Sequence, residues 1–226
     1  MKKVDKYLPG LRLVLIALSL TLFAEHAVSA TLIDDFSDFQ AVDNGSDGPV
    51  AIVGSGLNGI TRTLTATPFS NGDTSEVVVE AGLLTVSNGP SGGIASVFYS
   101  FDTIDLASLA GAFTFATEFM DLSHQVQLIA NGSSIFGFTD LGLGQHVIAF
   151  TQFSDPGVFS HLNSLELKFQ GRDAWDAQFK LLATSNNTVP EPPVVALLAI
   201  GLLATSFRSP KKSVALQAVK RESISV

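Results

Sequence analysis

Between residues 31 and 187 apolar and polar positions alternate with a period of two, with no sustained helical period. Phe113, Phe115 and Phe119 alternate with Thr114, Ala116 and Glu118. Leu165, Leu167 and Phe169 alternate with Glu166 and Lys168, and Phe179, Leu181 and Ala183 with Lys180 and Leu182. A strand with one side in a core and the other in water has this pattern. Similar runs at Thr61–Thr67, Glu76–Glu80, Leu83–Ser87, Ala95–Phe101, Gln125–Ala130 and Gln145–Phe150 predict further strands. Asn71-Gly72-Asp73, Asn88-Gly89-Pro90, Asn131-Gly132 and Asp155-Pro156-Gly157 separate them, because Asn and Gly tolerate positive φ and Pro starts turns. Roughly ten to twelve short strands with such punctuation predict an all-β domain, a two-sheet antiparallel β-sandwich of jelly-roll type. No repeat of fixed period is present, which argues against a propeller or solenoid. The Gly-rich stretch Asn44–Gly59 predicts a mobile loop, and Thr184–Pro193 a polar linker.

Both ends of the chain break this pattern. Lys2, Lys3, Lys6 and Arg12 precede the apolar run Leu13–Ala24, which is too short to span a bilayer comfortably but suits a signal-peptide core. Val28-Ser29-Ala30 puts small residues where signal peptidase reads, so residues 1–30 are expected to be a signal helix cut between Ala30 and Thr31. At the other end Val189-Pro190-Glu191-Pro192 leads into the apolar run Val194–Phe207, followed by Arg208, Lys211 and Lys212. The prolines keep the motif extended, the apolar run inserts, and the positive flank stays cytoplasmic. At 1.5 Å per residue the run makes a helix about 21 Å long, a short transmembrane helix.

Motif, span and basic flank in this order resemble the PEP-CTERM sorting signal. The resemblance implies recognition of Val189, Pro190, Glu191 and Pro192 by an exosortase. It also implies a transient membrane anchor before release to the cell surface or matrix, and a Gram-negative host that makes exopolysaccharide. The chain continues past the usual end of such signals, through a basic cytoplasmic tail over 208–226. That leaves a domain at 31–187, a sorting motif and linker at 188–193 and an anchor at 194–207. Within the domain, Leu32-Ile33-Asp34-Asp35-Phe36, Leu165–Phe169 and Asp176–Leu181 resemble the first and last strands of galactose-binding-like jelly rolls.

Composition narrows the chemistry. The chain has no cysteine, so disulfides, thiolate metal sites and a Cys nucleophile are excluded. Residues 31–188 carry 17 Asp and Glu against four Lys and Arg, a net charge of −13 that repels nucleic-acid phosphates. Asp34, Asp35, Asp173 and Asp176 lie near the two ends of the domain sequence. They read either as calcium ligands, if the jelly roll pairs its first and last strands, or as solvated strand-end carboxylates. Trp175 reads either as a platform for a sugar ring or as half-buried packing. His124, His146 and His161 lack the close spacing of a zinc site, and Gly54-Ser55-Gly56 lacks the strand-turn-helix setting of a nucleophile elbow. These residues carry no catalytic signature, and with the signal peptide the expectation is an exported, non-enzymatic protein, which the PEP-CTERM resemblance implies belongs to the envelope or extracellular matrix. The rival readings are a carbohydrate-binding module that engages exopolysaccharide and a secreted hydrolase.

Overall fold

The computed structural model describes residues 30–171 and 174–185. The expected signal helix, sorting motif, transmembrane helix and basic tail lie outside the described residues, as does Asp173. All described residues belong to the unit Met1–Asn187.

Thirteen strands among them form two antiparallel sheets: β1 (Leu32–Asp34), β2 (Gln40–Asp43), β3 (Gly45–Ala51), β4 (Thr61–Pro68), β5 (Ser75–Glu80), β6 (Leu83–Asn88), β7 (Gly93–Ile104), β8 (Ala112–Met120), β9 (His124–Ala130), β10 (Ser134–Asp140), β11 (Gly144–Ala149), β12 (Leu162–Gly171) and β13 (Asp176–Ser185). One sheet runs β11-β8-β13-β6-β5-β2, with β1 also on β13, and the other runs β10-β9-β12-β7-β4-β3. From β6 onward the chain passes repeatedly from one sheet to the other, which gives the predicted jelly-roll sandwich.

The alternation builds the core. Val126 and Leu128 of β9, Leu165, Leu167 and Phe169 of β12, and Leu64 and Ala66 of β4 all point inward and are buried. Phe113, Phe150, Phe153 and Phe159 close one end of the sandwich, with Phe150 and Phe159 stacked at 4.0 Å. Two phase breaks depart from the sequence pattern. The pairing of β13 with β8 shifts between Gln178 and Phe179 and again between Lys180 and Ala183. A bulge moves every later side chain to the opposite face. Leu181, expected inside, therefore faces solvent at φ 51° while Leu182 is buried, and Phe119 is likewise exposed.

The stretch Asn44–Gly59 also departs from expectation. Instead of one loop it begins with β3, paired with β4 from Gly45↔Ala66 to Ala51↔Thr61. Its residues are almost all exposed, so an edge strand here has no apolar alternation to reveal it. Beside it lies a buried polar network. Arg62 donates to Asp34 Oδ2 at 2.7 Å and to Gln40 Oε1 at 2.9 Å, while Tyr99 donates its hydroxyl to the same Asp34 oxygen at 3.0 Å. Arg62 and Asp34 are both fully buried. The network fastens β1 and the segment after it onto β4 and β7.

Candidate functional site

The outward side chains of the six-stranded sheet alternate with its core. Gln125 and Gln127 of β9 interleave with Val126 and Leu128, and Glu166, Lys168 and Gln170 of β12 with Leu167 and Phe169. Register aligns them across strands. Asp140 of β10 stands opposite Gln125, and Gln125 opposite Gln170. Carboxylate and amides thus form a row, one per strand, at the strand spacing of about 4.8 Å. Ser123 and Gly171 complete a cavity of about 370 Å³ around this row. That volume falls within the range of small-molecule sites, about 300–1,000 Å³.

No side-chain hydrogen bond links Ser123, Gln125, Asp140 or Gln170 to another described residue; such bonds tie down Gln40, Asn131 and Asp155 elsewhere. Among the described residues the cavity thus presents amide donors and acceptors, a hydroxyl and one carboxylate. Two strand rows along, Glu166 pairs with Lys168 at 3.5 Å, and the exposed ring of Phe98 stands opposite Glu166.

The floor of the cavity depends on Trp175 and His124. A Cβ on Gly171 would lie 2.3 Å from the Trp175 ring, so the indole packs directly beneath that glycine. His124, opposite Gly171 in register, stacks on the indole with centroids 5.2 Å apart and planes 8° from parallel. Neither His124 ring nitrogen nor Trp175 Nε1 makes a hydrogen bond of ordinary geometry within the described residues. Burial pulls the His124 pKa below its usual value, the Leu122 backbone partly offsetting it. The sugar-platform expectation for Trp175 is therefore corrected. The ring is fully buried, with one face on His124, and its role is packing.

Among the described members of the expected carboxylate set, Asp34 and Asp176 are not brought together. β1 does pair with β13, as the calcium reading required, but Asp34 stands opposite Leu182, six residues along from Asp176. At about 3.3 Å per strand residue that is roughly 20 Å. Asp34 is committed to Arg62 and Tyr99; burial pushes its pKa up while Arg62 pulls it back. Asp35 accepts from the Ser37 hydroxyl at 2.6 Å, and that bond holds its pKa down. Asp176 accepts from Ser87 at the far end of β13. No group of three or more His, Asp or Glu able to hold a metal occurs among the described residues. Thr31, the expected mature N-terminus, joins the edge of β13. Its N–H donates to Thr184 Oγ1 at 2.9 Å, and its carbonyl accepts from the Thr184 N–H at 2.9 Å.

Sequence reading missed the cavity residues, although a signal was present. In Gln125-Val126-Gln127-Leu128 the polar phase of the strand is amide rather than charged, in a domain whose charged positions are mostly acids.

The fold and site place the chain in the class of antiparallel jelly-roll sandwiches with a polar cavity on one sheet face. Among solved structures, similar ones include the family 11 carbohydrate-binding module of the cellulosomal cellulase Lic26A-Cel5E of Clostridium thermocellum. It shares 13% identity at a TM-score of 0.40, over 71% of this chain and 96% of that one. A variant of the family 29 carbohydrate-binding module CBM29-2 shares 10% identity at a TM-score of 0.34, over 73% of this chain and 98% of that one. These are distant likenesses of chain path, and the fold assignment rests on this chain's own strand pairing. No family model matches the chain, and no curated protein does.

Proposed function

We propose that the domain is a carbohydrate-binding module of an exported protein, and that it holds exopolysaccharide through the cavity on its six-stranded sheet. One observation carries the reading: the row Asp140–Gln125–Gln170, with Ser123, lines a 370 Å³ cavity with polar groups that no described side-chain hydrogen bond occupies. Sugar hydroxyls both donate and accept, and amides and a hydroxyl complement them without demanding charge. A phosphate-rich ligand would need cations, and residues 31–188 carry only four Lys and Arg against 17 Asp and Glu. The arrangement favours binding over turnover, since glycoside hydrolysis employs two carboxyl groups across a cleft and Asp140 is the single one lining this cavity among the described residues.

Gln125→Ala and Gln170→Ala test the reading, with residues 31–187 screened on a glycan array and the best glycan titrated by calorimetry. Each substitution should weaken binding about five- to tenfold, the value of one good hydrogen bond. Failure to bind any glycan class sinks the proposal, and binding indifferent to both substitutions moves the site elsewhere.

Sorting completes the proposal. Cleavage after Ala30 by signal peptidase and recognition of Val189–Pro192 by an exosortase would deliver the module to the matrix it binds. The geometry suits a tether. Thr31 and Ser185 lie at one end of the sandwich, whereas Ser123, Gln170 and Gly171 lie at the other, beyond the length of β13. Pro190→Ala with Pro192→Ala should leave the melting midpoint unchanged and retain the protein in the membrane fraction. Normal release into the medium would refute the sorting role.

A further inference from the structure

A sheet edge carries unpaired backbone N–H and C=O groups, and natural proteins blunt such edges with bulges, prolines, charges, shortness or cover. Among the described residues the sandwich has five edges, and four of them are blunted. In β10 the pairing shifts between Phe136 and Thr139, and the strand ends at Asp140. β3 carries Asp47, Pro49 and a shift between Asp47 and Val50. β2 is four residues long and ends at Asp43. β1 is covered, since the Leu32 carbonyl accepts from the Gly56 N–H at 2.8 Å and from Ser55 Oγ at 3.2 Å.

β11 has none of these devices. It pairs with β8 residue for residue, from Gly144↔Thr117 to Ala149↔Ala112, with no shift. Its sequence, Gly-Gln-His-Val-Ile-Ala, holds no Pro, Asp, Glu, Lys or Arg. Its backbone direction follows from two bonds. The Phe150 N–H points back to Gly111, and the Ala149 N–H points away and is taken by Gln152 Oε1 at 2.8 Å. By the alternation of a strand, the N–H groups of Val147 and Gln145 also point out of the open edge. Val147 and Leu143 are large apolar side chains left exposed along it.

We propose that β11 is the edge through which two copies of this chain pair, antiparallel, into one continuous sheet. The free groups are self-complementary. A two-fold axis beside His146 sets Gln145 of each copy opposite Val147 of the other, exchanging both pairs of backbone bonds. It also lays each Leu143 opposite the second copy's Ala149. Electrostatics selects the same partner: two domains of net charge −13 repel over most of their surface, and β11 is an edge without formal charge on which they can meet. The contact involves one short strand per copy, so the pair is reversible.

Sedimentation equilibrium of residues 31–187, which contain both sheets and their core, tests this over a wide concentration series. The mass should rise from one chain toward two, and amide exchange at Gln145 and Val147 should slow as concentration increases. Val147→Lys and Leu143→Lys should each hold the protein monomeric. Ile135→Lys, on the neighbouring β10 edge, should leave pairing intact. A protein that stays monomeric throughout, with exchange at Val147 independent of concentration, overturns the proposal. So does a dimer that survives both lysine substitutions, since its contact then lies elsewhere. Should Val147→Lys fail to fold, Leu143→Lys, which lies outside the strand, and the exchange data on the unaltered chain decide the matter.

Discussion

Replacing Arg62 by Met removes the cation that Asp34 faces inside the sandwich and leaves the carboxylate fully buried, with the Phe36 N–H and the Tyr99 hydroxyl as partners. Stripping one member from a buried pair costs about 3–5 kcal/mol, because the survivor keeps its desolvation penalty and loses its counter-charge. Thermal unfolding of Arg62→Met should show a midpoint lower by roughly 10 °C. Asp34→Leu added to Arg62→Met should recover much of that loss, since an apolar pair needs no compensation. A midpoint within a degree or two of the unaltered protein would show that the pair contributes nothing. Neither role was legible from residue type. Asp34 reads as a strand-end acid and Arg62 as one cation among threonines, and only packing against Gln40 and Tyr99 makes them a buried unit.

At the scale of elements, the β5–β6 hairpin turns through Ala81-Gly82, both at positive φ, 52° and 85°. A two-residue turn with two positive φ values suits the twist of the strands it joins, and it favours Asn over Ala at the first position because the short polar side chain of Asn hydrogen-bonds locally and so tolerates the left-handed region. Ala81→Asn should stabilise the domain by about 0.5–1 kcal/mol, read as a rise in the denaturation midpoint with unchanged slope. A fall would mean that the turn is held by something other than its own geometry. Strand existence followed well from alternation, for β4 to β9 and for β11 to β13. Strand phase did not, because the bulges that expose Leu181 and Phe119 are fixed by pairing with β8 rather than by any local signal. β2, β3 and β10 were not read as strands. β2 is very short, and β3 and β10 lie at the sheet edge, largely exposed, where one-sided burial imposes little alternation.

For the whole molecule, pH dependence follows from two histidines whose pKa values burial holds below the usual 6.5. Below that pH the unfolded chain takes up protons that the folded rings refuse. Stability contributed by neutral His124 and His146 is therefore full above 6.5 and declines as pH falls through the window beneath it. Denaturation followed by the fluorescence of Trp175, the sole tryptophan, should show the midpoint dropping across this range. His124→Phe should flatten the decline, because the stack on Trp175 persists without a titrating ring. An unaltered pH profile in that variant would place the sensitivity elsewhere.

The chain's own order of residues determined that this is an acidic, cysteine-free, all-β domain, and it set most of the strands, because one-sided burial imprints a period of two on any strand long enough to show it. It also set the expectations for the two ends, where runs of charge and apolarity act locally. Tertiary structure decided which polar residues meet. Gln125 and Asp140 lie 15 positions apart, and Gln125 and Gln170 lie 45 apart, so their row exists only through the registers of β9 with β10 and β12. The register of β1 with β13 parted Asp34 from Asp176, and packing beneath Gly171 turned Trp175 inward. Pairing register and bulge position are long-range properties, settled by how two sheets share one core, and no window of sequence contains them.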